Sequence, residues 1–235
     1  MSEVADNLSE ILGNIASACE RSGRERSSVQ LVAVSKTFPA SAVGEATEAG
    51  QRIFGESKLQ EAEPKIAALP GSLEWHFIGR VQRNKVRKLL QHFDVIHAVD
   101  SLRLASYTDV IAGELGLFPR IFLQVNIGGE LSKGGFESDI LRAEMEGLMR
   151  LERLEIQGLM CIPPPGPDAE FSRKWFVALR ELRDSLQKEF GAGLPALSMG
   201  MSGDYEVAIE EGATHVRVGS AIFGKRAYRV DGELG

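Results

Sequence analysis

Cysteine is nearly absent. The 235 residues hold two, Cys19 and Cys161, far apart and in no metal-binding spacing. The chain therefore reads as a reduced, cytoplasmic protein without a metal site. Long apolar runs are missing too: none approaches the ~20 residues that cross a bilayer. The opening MSEVADNLSE is acidic and polar, which excludes a secretory signal. Positive charge is in deficit, and a formal net charge of -6 removes any general attraction to nucleic acid or anionic membranes. Low-complexity segments, linkers and a G-x-G-x-x-G turn are also lacking. What is present is 43% hydrophobic and 26% charged, an ordinary globular balance in a chain long enough for one large domain or two small ones.

Short β-rich runs alternate with longer helical patterns. The strand candidates are residues 29–35, 52–54, 73–78, 94–99, 120–127, 154–160, 195–200 and 214–219. Between them, FSRKWFVALRELRDSLQKEF repeats Phe171, Trp175, Leu179, Leu182 and Leu186 every three or four residues, one apolar helix face. An extra helix over about residues 4–22 precedes the first strand. Such alternation implies a parallel sheet with helices outside. Eight units in this length fit a (β/α)8 TIM barrel, one domain over residues 1–235. The rival is an open doubly wound sheet.

Barrel active sites lie at the C-terminal ends of the strands, so each strand is read for what it delivers there. The run LVAVSKTFPA delivers Lys36. Either this lysine snorkels into water, or desolvation lowers its pKa and makes the amine a nucleophile for a carbonyl. LSMGMSGD brings Gly200, Ser202 and Gly203, with Asp204 as an N-cap for the next helix. RVGSAIFG brings Gly219 and Ser220 into a helical run. Loops after strands seven and eight form the usual phosphate site of such barrels; the plainer reading of Ser220 is a helix cap. A lysine and a phosphate cradle at one end of a barrel suit a cofactor with an aldehyde and a phosphate, pyridoxal 5′-phosphate (PLP), held as an imine on Lys36. Period two puts His215, Arg217 and Gly219 on one face. Arg217 would then meet the pyridine nitrogen and, never giving up its proton, leave that nitrogen unprotonated. The alternative is a core arginine paired with a neighbouring acid.

Other segments carry weaker signals. FGESKLQE places Glu56 and Ser57 at the barrel mouth or at a helix start. His76 alternates with Trp75 and Phe77 and faces the interior, as a satisfied core histidine or a site residue. The tract RVQRNKVRK, five positive charges in nine residues, reads as a solvated helix face before it reads as a nucleic-acid contact. Lys133, in the glycine-rich loop after strand five, is a rival nucleophile ranked below Lys36.

Eight ordered blocks, LVAVSKTFP, FGESKLQE, WHFIGRVQRNK, IHAVDS, QVNIGGELSKGGF, GLMCIPP, LSMGMSGDYEVAI and VRVGSAIFG, together resemble the pyridoxal phosphate homeostasis proteins, single-domain relatives of fold-type III enzymes such as alanine racemase. The resemblance implies a (β/α)8 barrel, an aldimine on Lys36, phosphate contacts at Ser202, Gly219 and Ser220, and Arg217 near the pyridine ring. With Ser57, His76 and Met199 these make the expected cofactor-binding set; no catalytic residue and no metal ligand are expected. The family usually reads FGENY where this chain has FGESK, often has proline at Arg80 and aspartate at Gly203. The implied role is control of free cofactor and, indirectly, of amino-acid pools, without established turnover. The implied partners are PLP and apo PLP-dependent enzymes, with no nucleic acid and no membrane, for a monomer in the cytoplasm. The competing reading is a fold-type III racemase or decarboxylase, which needs acid/base groups on both faces of the cofactor; a chain stopping at Gly235 is expected to lack the additional domain that supplies one of them. A third reading is an RNA-binding barrel built on the basic tract.

Overall fold

The computed structural model describes residues 2–130 and 134–224. Eight parallel strands close a barrel in sequence order: β1 Gln30–Val34, β2 Ile53–Glu56, β3 Glu74–Phe77, β4 Val95–Val99, β5 Arg120–Gln124, β6 Glu155–Met160, β7 Ala196–Met201 and β8 His215–Val218. These correspond to the eight runs read from the sequence, most of them trimmed at their ends, while β2 and β7 extend past the C-terminal ends of theirs. Parallel strands covered on both faces must be apolar almost throughout. In β1 every residue after Gln30 is buried.

Helices pack outside: α1 Glu3–Arg21, α2 Ala40–Glu48, α3 Leu59–Ala68, α4 Val86–His92, α5 Leu102–Leu115, α6 Ser138–Met149, α7 Arg173–Phe190, α8 Tyr205–Glu210 and α9 Ser220–Phe223. The extra helix α1 starts where the Ser2 hydroxyl accepts from the Ala5 N–H, with Glu3 and Asp6 at the positive end of its dipole. Leu8, Ile11, Ile15, Ala18 and Cys19 recur at helical spacing and are buried. The helix packs against α2, α8 and α9, the helices that follow β1, β7 and β8. Asn7 Nδ2 donates to the Ile222 carbonyl of α9 at 3.0 Å, and Arg21 pairs with Glu206 and Glu210 of α8. The last two units are thereby braced from behind. No helix among the described residues is long and apolar enough to cross a membrane.

The barrel interior departs from the branched apolar layers common in this fold. His76, His97, His215 and Phe122 form one ring cluster, with centroid separations of 4.6 to 6.1 Å. Ser198 and Arg217 lie buried beside it.

Candidate functional site

The C-terminal ends of β1 and β8 and the loop after β7 enclose a cavity of about 260 Å³. Lys36, Ser202, Gly203, Arg217, Gly219 and Ser220 supply its polar lining; Val34, Ile78, Ile162 and Met201 are among its apolar walls. Five sequence-predicted residues, Lys36, Ser202, Arg217, Gly219 and Ser220, thus share one space.

Lys36 follows β1 in a turn closed by the Phe38 N–H donating to the Ser35 carbonyl at 3.1 Å. The next residue, Thr37, has φ 72°, the one positive φ on a non-glycine residue among those described. A β-branched residue there costs roughly 1–3 kcal/mol, and such strain persists only where neighbours over-determine it. Here they do. The Ser35 N–H donates to the Gly55 carbonyl at 3.1 Å, and the Thr37 N–H to Glu61 Oε2 at 3.2 Å. Lys65 Nζ, from α3, donates to the Ser35 carbonyl at 2.8 Å and to Glu56 Oε1 at 2.6 Å. The Ser35 hydroxyl donates to the same Glu56 oxygen at 2.7 Å. Glu56 is fully buried, and its Oε2 has no hydrogen-bond partner. A buried ion pair therefore clamps the turn that carries Lys36.

The opposite wall is made of two loops tied together. The Gly219 N–H donates to the Ser202 hydroxyl at 3.2 Å. A Cβ on Gly219 would sit 2.9 Å from the Val34 carbonyl oxygen, so only glycine lets this loop approach β1. Gly219 is the cap of α9 and Ser220 its first residue, so Ser220 is not the cap. Asp204 does not cap α8 through its side chain, as its place in the sequence suggested. Its carboxylate accepts from the Met201 N–H at 2.7 Å and the Ser172 hydroxyl at 2.8 Å, bracing the loop after β7 instead.

Arg217 forms part of the buried end of the cavity and is 5% exposed. Its Nη1 donates to Ser198 Oγ at 2.5 Å and its Nη2 to the Cys161 carbonyl at 2.9 Å. Among the described residues no neighbouring-strand carboxylate is within hydrogen-bond or ion-pair reach of it. Burial pulls its pKa below the usual arginine value, yet a guanidinium keeps its proton in a protein.

Three expected contacts lie elsewhere. His76 is fully buried within the barrel, with Nδ1 2.9 Å from His97 Nε2 and Nε2 2.8 Å from Glu74 Oε1; both ring nitrogens are engaged, which makes it a core histidine. Met199 is fully buried outside the cavity lining, and Met201 takes the wall position. The pairing of β7 with β8 shifts register between Ser198 and Met201, an irregularity that falls just where Met201 rather than Met199 takes the wall. Ser57 lines a neighbouring cavity of about 230 Å³ with Lys58, Arg80 and Lys85. Lys133 falls outside the described residues. Sequence reasoning missed the Glu56–Lys65–Ser35 clamp and His97. The signal for His97 was present: one polar residue inside the apolar run VIHAV.

Known proteins resemble this chain over most of its length. The family model for the alanine racemase N-terminal domain matches residues 7–227. The pyridoxal phosphate homeostasis protein of Aquifex aeolicus is 44% identical, covering 95% of this chain and 98% of its own. That of Escherichia coli K12 is 41% identical over 97% and 99%. PipY of Synechococcus elongatus PCC7942, solved with PLP bound, is 44% identical with a TM-score of 0.83, covering 94% of this chain and all of its own. Alanine racemase from Bartonella henselae is 17% identical with a TM-score of 0.72, covering 97% of this chain and 61% of its own, a likeness of fold alone.

Proposed function

The chain belongs to the pyridoxal phosphate homeostasis protein family, and from that membership we propose that it binds PLP at the barrel mouth and acts in PLP homeostasis. The observation that carries the reading is the single cavity lined by Lys36, Arg217, Ser202, Gly219 and Ser220. This donor set fits the cofactor. Ser202, Gly219 and Ser220 offer hydroxyl and backbone donors for a phosphate. Lys36 offers the amine for a Schiff base with the aldehyde. Arg217 can only donate, so the ring nitrogen it meets must accept. Bound in this way, the cofactor supplies an electrophilic carbon open to amines. The chain's own contribution is to hold that group: the Glu56–Lys65 clamp fixes the lysine turn, and the Ser202–Gly219 bond keeps the phosphate loops in register.

We further infer a carrier and not a catalyst. A guanidinium at the ring nitrogen disfavours the protonated pyridinium that carbanion chemistry exploits, and no acid/base pair flanks the cavity among its described lining residues. A monomer in the cytoplasm that passes cofactor to apo enzymes is consistent with this reading. A chain with only two cysteines, both buried, suits a reducing compartment. The test is borohydride reduction of the PLP-loaded protein, digestion and peptide mapping. Label on Lys36 is expected; label on Lys65 or Lys133 sinks the assignment. The same preparation incubated with L- and D-amino acids in deuterated water should show no α-proton exchange near the ~1–10³ per second of common enzymes; exchange at that rate, lost in Lys36→Ala, would restore the racemase reading.

A further inference from the structure

Arg217 poses a problem of charge. A buried guanidinium is costly unless it is compensated and held in place; its hydrogen-bond partners, Ser198 and the Cys161 carbonyl, are neutral, and the Asp204 carboxylate acts on it only from beyond hydrogen-bond reach. The contacts continue away from the cavity. Ser198 Oγ is 2.8 Å from His97 Nδ1. His97 Nε2 is 2.9 Å from His76 Nδ1. His76 Nε2 is 2.8 Å from Glu74 Oε1. Ser198, His97 and His76 are all fully buried. Glu74 opens β3 at the N-terminal end of the barrel, where Arg120 also reaches it at 3.1 Å. We propose that Ser198, His97 and His76 form a one-way hydrogen-bond relay from Arg217 to Glu74 that orients the guanidinium at the cavity.

The direction follows from the two ends. A guanidinium has donors only, and a carboxylate accepts only. If Ser198 Oγ accepts from Arg217, its own proton goes to His97 Nδ1, which must be bare. The His97 proton then sits on Nε2 and is donated to a bare His76 Nδ1. The His76 proton sits on Nε2 and is donated to Glu74. Every buried donor and acceptor along the chain is used, with both imidazoles neutral. Aligned hydrogen bonds polarise one another in a low-dielectric interior. Reversing the His97–Ser198 link leaves the Ser198 proton without a partner and requires a charged His76. His76 is faced by Arg120, His97 and His215 on the positive or neutral side and by Glu74 and Asp94 on the negative, while Arg217 acts on His97 and His215. Burial lowers the pKa of both His76 and His97, in keeping with two neutral rings.

Glu74, His76, His97 and Ser198 are thus positioning residues; none of them lines the cavity. The relay stands on the protein alone, and only its effect on the cofactor rests on the proposed function. The first readout is ¹⁵N NMR of the histidine side chains without ligand. His76 and His97 should each be protonated on Nε2 and bare on Nδ1. A proton on His97 Nδ1, or on both nitrogens of His76, would overturn the relay. Glu74→Leu should change the tautomer populations of His97, a ring that Glu74 does not touch, while Glu74→Gln, which keeps an acceptor oxygen, should preserve them. An unchanged His97 in Glu74→Leu would mean that Glu74 does not set the direction. Glu74 is partly exposed, so both variants should fold, which circular dichroism would verify. The second readout is PLP affinity, expected to weaken about fivefold in Glu74→Leu, the scale of one net hydrogen bond, and to hold in Glu74→Gln. Altered tautomers with unaltered PLP affinity would overturn the coupling to the cavity. Failure of the unaltered protein to bind PLP would sink the proposed function and leave the relay to the NMR result.

Discussion

Acid should loosen this barrel well before its carboxylates titrate. Three of the four histidines, His76, His97 and His215, sit in the barrel interior. Burial pushes the pKa of His97 well below the usual histidine value, and that of His215 down to about 3. His76 is lowered too, although its hydrogen bond to Glu74 opposes the shift. His97 and His215 stay neutral in the fold across this range but titrate near pH ~6.5 in the unfolded chain. Below that pH the unfolded state binds more protons, so stability falls as pH falls. One such ring costs about 2 kcal/mol at pH ~5 relative to pH ~7.5, by the proton-linkage relation. Counting His97 and His215 alone gives about 4 kcal/mol, a large share of the ~5–15 kcal/mol typical of a domain. The carboxylates work in another window. Glu61, Glu74, Glu170 and Glu210 have lowered pKa values, so their stabilisation is intact above the ordinary carboxylate range and is lost only below it. The assay is urea unfolding followed by Trp75 and Trp175 fluorescence at half-unit pH steps. A stability constant to within about 1 kcal/mol across that interval would refute the reasoning, because one histidine held neutral already exceeds it.

Two further outcomes follow from the site. Ser202→Ala and Ser220→Ala should each weaken PLP binding by about 1–2 kcal/mol and leave pyridoxal, which lacks the phosphate, almost unaffected; equal losses for both ligands would show that these serines do not read a phosphate. Lys65→Met strands the fully buried Glu56 carboxylate and should destabilise the fold by roughly 3–5 kcal/mol, with Glu56→Gln added to it recovering part of the loss. Calorimetry reads both variants, and a Lys65→Met protein as stable as its parent would mean that the pair clamps nothing.

The strands were legible because most are largely buried and read as short apolar or β-branched runs between helical patterns. Lys36, Arg217 and Gly219 were legible for a related reason: a polar residue or glycine at the end of such a run has few structural excuses. What stayed hidden depends on register. Glu56 meets Lys65 only once β2 lies beside β1 and α3 has folded back over both, a juxtaposition with no periodic signature. Met199 and Met201 exchange roles through an irregularity in how β7 pairs with β8. Asp204 looked like a cap from its place before a helix, but its carboxylate is committed to Met201 and Ser172. His76 had the alternation of an interior residue, and its partners, Glu74 from its own strand and His97 from the next, decide that it serves the core.

The seam between β1 and β8 also sets an order of events during synthesis. Lys36 leaves the ribosome with the first strand, whereas Ser202, Gly219 and Ser220 belong to the last two units. At ~5–20 residues per second, the lysine waits on the order of 10 seconds or more for the loops across the cavity. Through that interval the wall that Ser202, Gly219 and Ser220 supply opposite the lysine has yet to be made. Selectivity arrives in one step, when β8 docks on β1 and α1 locks over the join through Asn7 and Arg21. A ligand that needs both walls binds only the closed ring, and binding of that kind draws the population toward closure. In a nascent chain PLP would therefore act as a late-stage chaperone of its own container.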